Sequence, residues 1–90
     1  MGHKIKVEKK KNFMSLTDNH GLSDFQKNVI TLQDVTKSYS LEQMEHTFYH
    51  ELVHFILNAM NEHELNTNEK FVDLFGGLLH QALNTYNDGS

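Results

Sequence analysis

The spacing of apolar residues between Ser40 and Met60 constrains the fold of this chain more than any other feature. Apolar side chains recur there every three or four residues, the spacing of one face of an α-helix: Leu41, Met44, Phe48, Leu52, Phe55, Ile56 and Ala59. Ser40-Leu41-Glu42-Gln43 matches a capping box, in which the side chains of Ser40 and Gln43 accept each other's backbone N–H groups. The pattern predicts a helix that begins at Ser40 and runs to about Met60.

A second helix is predicted after a polar loop over residues 61–68. Asn66 and Glu69 have the spacing of another cap, and an apolar face follows: Phe71, Leu74, Phe75, Leu78, Leu79, Ala82 and Tyr86. Gly76 and Gly77 interrupt this stretch, and glycine inside a helix costs roughly 1 kcal/mol relative to alanine. Either another backbone approaches the helix closely at the glycines, or the helix breaks after Phe75.

The first third of the chain has the patterns of strands. Ile5 and Val7 alternate with charged residues, residues 13–16 indicate a second short strand before a turn at 18–21, and residues 25–32 indicate a third. A chain of 90 residues has room for one modest core, so we expect a single domain over residues 1–90. The predicted class is α+β, with a small antiparallel sheet of about three strands followed by two helices.

Composition and charge exclude several functions. The chain has no cysteine, which excludes disulfides, thiolate zinc sites and a cysteine nucleophile, and leaves His, Asp and Glu as the strong metal ligands. Its start lacks the apolar core of a signal peptide, and no apolar run approaches the roughly 18 residues of a membrane-spanning helix. We therefore expect a cytoplasmic protein with no membrane partner.

The positive charge is concentrated at the start of the chain. Residues 1–11 hold five lysines and Glu8, a net charge of +4, whereas residues 12–90 carry −8. Such a segment can contact nucleic acid or an acidic protein, or its lysines can protect the edge of a sheet from pairing. The absence of arginine and of a second basic patch favours the sheet edge over a nucleic-acid partner.

The first predicted helix contains His50-Glu51-Leu52-Val53-His54, an HExxH motif. Residues four apart lie on the same face of a helix, so His50 and His54 can direct two imidazoles at one metal ion. Glu51 lies to the side, where it can take a proton from a water molecule that the metal activates. The alternative is that these residues are the polar face of an ordinary amphipathic helix. The metzincin form of the motif is excluded, because it needs Gly and His where Leu57 and Met60 stand.

A third protein ligand is expected from the second helix. Glu69, Asp73 and His80 share one side of it, away from the apolar face. Glu69 is the leading candidate ligand, and His63 in the preceding loop is the rival. His46 has the position of a surface residue. A His₂Glu site would accept zinc, although manganese, iron and other divalent ions are not excluded by affinity.

HELVH followed by Glu69-x-x-x-Asp73 resembles the arrangement of gluzincins, and the order of motifs resembles the compact ImmA/IrrE-type metallopeptidases of bacteria and phages. The resemblance runs through a strand with a Gly turn and an I-x-L segment (Gly21 to Leu32), an HTFxHELxH helix (His46 to His54) and E-x-F-V-D-x-F (Glu69 to Phe75). It implies a zincin-like fold and a Zn²⁺ ion held by His50, His54 and Glu69, with Asp73 supporting a ligand histidine.

The resemblance also implies an activity. Glu51 would be the catalytic residue of a zinc-dependent endopeptidase, a hydrolase acting on a protein or peptide substrate. A zinc-binding regulatory module without hydrolytic activity is the alternative, although a structural zinc site has no need of the general base Glu51. A metal-free domain that binds a partner through its basic first strand is a third possibility. The third predicted strand would offer an edge on which an extended peptide is held.

Overall fold

The computed structural model describes residues 4–88, with side chains up to residue 85, and it confirms the α+β class. Three strands are combined with two long and two short helices. In chain order the elements are β1 (Lys6–Lys10), α1 (Phe13–Thr17), β2 (Gly21–Asp24), β3 (Val29–Gln33), α2 (Leu41–Ala59), α3 (His63–Asn66) and α4 (Glu69–Asp88).

The sheet has three strands, as predicted, but it is mixed rather than antiparallel. Its strand order is β1-β3-β2, with β2 antiparallel and β1 parallel to the central strand β3. α1, rather than a hairpin, connects β1 to β2. β1 therefore pairs with β3, to which it runs parallel, and not with β2. The lysine-rich strand β1 lies at one edge of the sheet, which confirms the position predicted from its charge.

The strand predicted over residues 13–16 is therefore wrong. Of its apolar residues only Phe13 is buried, and Leu16 is 81% exposed, so the alternation of an inward and an outward face is lost. The buried side chain of Gln33 stabilises the helical alternative: its Oε1 accepts the N–H of Met14 at 2.6 Å, and its Nε2 donates to the carbonyl of Lys11 at 2.6 Å.

The strand predicted over residues 25–32 begins four residues too early. Asp24 Oδ1 accepts the backbone N–H groups of Gln26 and Lys27, both at 3.1 Å, and Asn28 has a left-handed backbone with φ 56°. Asx turns and left-handed asparagine are typical of tight turns. These residues form the hairpin turn that joins β2 to β3.

The first long helix, α2, confirms both its predicted start and its end. Ser40 and Gln43 form the capping box, and the helix ends at Ala59. One side of α2 packs on the sheet through Met44 and Phe55, and another side packs on α4. Leu41 and Ile56 of the predicted apolar face are exposed.

The second long helix, α4, begins at Glu69 and continues through both glycines, so the alternative of a break after Phe75 does not occur. Its cap is Asn68 and not Asn66, because Asn68 Oδ1 accepts the N–H of Phe71 at 3.1 Å. Its buried side is formed by Val72, with Phe71 and Leu79 partly buried against the same cluster, rather than by the whole predicted apolar face. The Tyr86 side chain, predicted on that face, lies outside the described residues. Among residues 4–88, no helix combines the length and the apolar character needed to cross a membrane.

Candidate metal centre

Two histidines of α2 and one glutamate of α4 meet at the surface between the helices. His50 Nε2 lies 3.1 Å from Glu69 Oε1, and His54 Nε2 lies 3.6 Å from Glu69 Oε2. One potential ligand atom from each of the three residues lies within 4.8 Å of the other two. The two histidine side chains are mostly buried, at 22% and 15% exposed, whereas Glu69 is 68% exposed. The three residues predicted as metal ligands are thus brought together.

The distances between these atoms fit zinc. Bonds of about 2.0–2.1 Å in a tetrahedral site place neighbouring ligand atoms about 3.4 Å apart. The separations of 3.1 Å to Glu69 Oε1 and 3.6 Å to Glu69 Oε2 lie on either side of that value, each through a different oxygen of the carboxylate. The donor set of two imidazoles and one carboxylate is also one that catalytic zinc sites use, with the fourth position left for water or substrate.

Gly76 allows α4 to lie close enough to α2 for this meeting. A Cβ atom at Gly76 would be 3.2 Å from both the Cα and the backbone nitrogen of His50, tighter than ordinary contact. Gly76 therefore lies against the backbone of α2, which confirms the first of the two alternatives that the sequence allowed, a close approach of another backbone. Gly77 has more space, with 3.7 Å to His46 Cε1.

Asp73, one turn beyond Glu69, contacts two histidines of α2. Its Oδ1 lies 3.1 Å from His46 Nε2 and 3.4 Å from His50 Nδ1. The hydrogen bond with His46 lowers the pKa of the Asp73 carboxyl below its usual value, and His50 contributes in the same direction. Asp73 is therefore a carboxylate at neutral pH, able to accept the Nδ1–H of His50. His46, expected to be a surface residue, is about half exposed and takes part in this contact.

Asn66 contacts the other predicted ligand histidine. Its Oδ1 lies 2.5 Å from His54 Nδ1. An amide oxygen only accepts, so Nδ1 of His54 is the donor of this hydrogen bond and Nε2 is the nitrogen left to bind a metal ion. This role of Asn66 is not predicted from the sequence, in which its spacing from Glu69 indicates a helix cap instead. The one available signal was its position, a polar residue shortly before Glu69.

Glu51 faces a cleft beside the three predicted ligands. Ser23 of β2 donates a hydrogen bond from Oγ to Glu51 Oε1 at 2.5 Å. Gly21 brings β2 onto α2, because a Cβ there would be 2.7 Å from Thr47 Cγ2. The cleft has a volume of about 510 Å³ and is lined by β2, by α2 and by the segment from His63 to Glu69. Ser23 was not identified from the sequence.

The remaining histidines have other surroundings. His63 lines the same cleft, but in residues 4–88 the group of three converging ligand atoms includes Glu69 and not His63. His80 Nε2 lies 3.3 Å from Glu45 Oε1, and its ring stacks on Tyr49.

A comparison with known proteins finds no matching family model, no matching curated protein and no matching solved structure. The function of the chain therefore has to be inferred from the geometry of its own residues. That geometry joins three potential zinc ligands, two groups that orient their imidazoles and an adjacent carboxylate.

Proposed function

We propose that this protein is a zinc-dependent endopeptidase of the small zincin type, similar to gluzincins and ImmA/IrrE-type metallopeptidases. The observation that carries the proposal is the convergence of His50, His54 and Glu69 from two helices, with the carboxylate of Glu51 beside them. Glu69 of α4 lies against both imidazoles, and Gly76 permits the close approach of the two helices that this contact requires.

His50, His54 and Glu69 would hold the zinc ion, with Asp73 and Asn66 orienting the two imidazoles. When bound, zinc supplies a Lewis acid that lowers the pKa of a water molecule and polarises a carbonyl group. Glu51 takes the proton of the attacking water on its carboxylate and later gives it to the leaving amine. The hydrogen bond from Ser23 fixes the orientation of that carboxylate.

The sheet suggests how an extended substrate is held. The strand expected to receive a peptide, over residues 25–32, corresponds largely to β3, which is central and already paired on both sides. The edge beside Glu51 belongs to β2, whose second side has no strand among the described residues. A peptide that pairs with β2 next to Ser23 would pass the carboxylate of Glu51. An open cleft suits an internal peptide bond, and we expect a specific cytoplasmic protein as the substrate.

Hydrolysis of unstructured peptides by the zinc-loaded protein tests this proposal. Mass spectrometry is expected to find defined cleavage products that disappear after chelation and return when zinc is restored. Zinc binding without any cleavage across a diverse peptide library would contradict the peptidase and leave the non-hydrolytic zinc module.

Replacing Asn66 with alanine is expected to weaken zinc binding by about 10- to 100-fold, the usual effect of losing a partner that orients a ligand histidine. The cause is the loss of the acceptor for His54 Nδ1–H, after which no hydrogen bond from Asn66 fixes the orientation of the ring. Competition with a zinc chelator measures the change. Asn84→Ala, on an exposed position of α4, is the control. Equal zinc affinities in both variants would remove Asn66 from the site.

A further inference from the structure

α4 carries an apolar surface on the side that faces away from α2. Leu74, Phe75 and Leu78 are 62%, 45% and 56% exposed, respectively. Val72, Gly76 and Leu79, which face the rest of the molecule, lie on the other side of the helix. A patch of three large apolar side chains on one exposed helix face is typical of a surface that binds another molecule.

The spacing on this outer face is that of a helix-packing seam. Phe71, Phe75, Leu78 and Ala82 follow each other at intervals of four, three and four residues, which is the a/d pattern of paired helices. Phe71 lies at the margin of this seam, because it is partly buried against the core cluster that contains Val72. The rings of Phe71 and Phe75 already contact each other edge to face, with centroids 5.6 Å apart. The natural partner of such a seam is another helix with the same pattern.

The area of the seam is close to what a dimer needs. From the exposed fractions, the seam and Leu74 offer roughly 400 Å² of apolar surface. Interfaces are about 60% apolar, so this patch corresponds to roughly 650 Å² per partner. Specific interfaces bury about 600–1,000 Å² on each side, which places a pair of these helices at the small end of that range.

The charges on the outer face favour one orientation of the pair. Between residues 70 and 85 the outer half of α4 carries a single charge, Lys70, at its N-terminal end. In an antiparallel pair centred on the seam, the two lysines lie toward opposite ends of the interface, away from each other. A parallel pair would bring the two lysines together.

We propose that the outer face of α4 is a dimer interface, in which α4 of a second copy of this chain packs antiparallel against it. Glu69 and Asp73 lie on the side of α4 that faces the candidate metal centre. The interface therefore leaves the cleft of each copy open. The dimer is independent of the proposed peptidase activity.

Sedimentation over a range of micromolar concentrations tests the interface, with Leu78→Lys as the variant and Leu16→Lys as the control. Leu16 is the more exposed leucine, at 81%, and it lies in α1 rather than on the seam. The wild type and the control are expected to dimerise alike, and Leu78→Lys at least tenfold more weakly. Circular dichroism checks that each variant folds.

A cross-link provides a second measurement. The chain has no cysteine, so Leu78→Cys should form a covalent dimer on mild oxidation, whereas Leu16→Cys should remain a monomer. A wild type that stays monomeric, equal weakening by both lysine variants, or open-ended assembly would each overturn the proposal.

Discussion

Glu51→Gln is expected to leave zinc binding intact and to reduce peptide hydrolysis by about 10²- to 10⁴-fold, the usual contribution of a general base. Glutamine keeps the shape of the side chain and can still receive the hydrogen bond from Ser23. It cannot accept the proton of the attacking water. Parallel measurements of bound zinc and of peptide cleavage separate the two effects.

Glu62→Gln is the matched control for this variant. Glu62 is exposed, and its side chain makes no capping hydrogen bond to α3. Zinc binding and cleavage should both be unchanged in it. If Glu51→Gln lost zinc and hydrolysis together, or lost neither, the division of roles between Glu51 and the three ligands would be wrong.

Gly76→Val is expected to lower the free energy of unfolding by about 1–3 kcal/mol, the typical cost of overpacking a close contact. Even a Cβ atom at Gly76 comes within 3.2 Å of the backbone of His50, and a β-branched side chain needs more room. The helices must separate, so Glu69 should move away from His50 and His54 and zinc binding should weaken. Denaturant unfolding and zinc titration measure the two effects.

Gly77→Ala is the control for Gly76→Val. It changes the helix propensity at a neighbouring glycine without creating a close contact with α2. Its Cβ would meet only His46 Cε1, at the ordinary distance of 3.7 Å. Alanine is the better helix former, so this variant should gain up to about 1 kcal/mol and keep its zinc affinity. Similar stability changes in both variants would contradict the close approach at Gly76.

The helices could be predicted because their signals are local. The apolar spacing and the Ser40 capping box are contained within a few turns of chain, and α2 follows them from start to end. The prediction for the first part of the sheet was wrong because the contacts that determine it are not local. The side chain that holds residues 13–17 in a helix is Gln33, about twenty positions away, and the parallel pairing of β1 with β3 depends on that helix.

The candidate site divides in the same way. His50 and His54 are placed by the period of one helix, and Glu69 and Asp73 by the period of the next. These side chains come together because Gly76 allows α4 to lie close to α2. The sequence indicates this contact, because glycine is unfavourable inside a helix. Ser23 and Asn66 reach Glu51 and His54 from other elements, and no local pattern identifies such contacts.

The amount of zinc bound by the purified protein, beside His54→Ala and Glu69→Ala, tests the central claim most directly. Glu69 is 68% exposed, so its removal should reduce metal binding without unfolding the chain. We expect about one zinc per wild-type chain, as a single His₂Glu site requires, and much weaker binding in both variants. A wild type that is folded but retains no metal when zinc is supplied would contradict the account, and HELVH would then be the polar face of an ordinary helix.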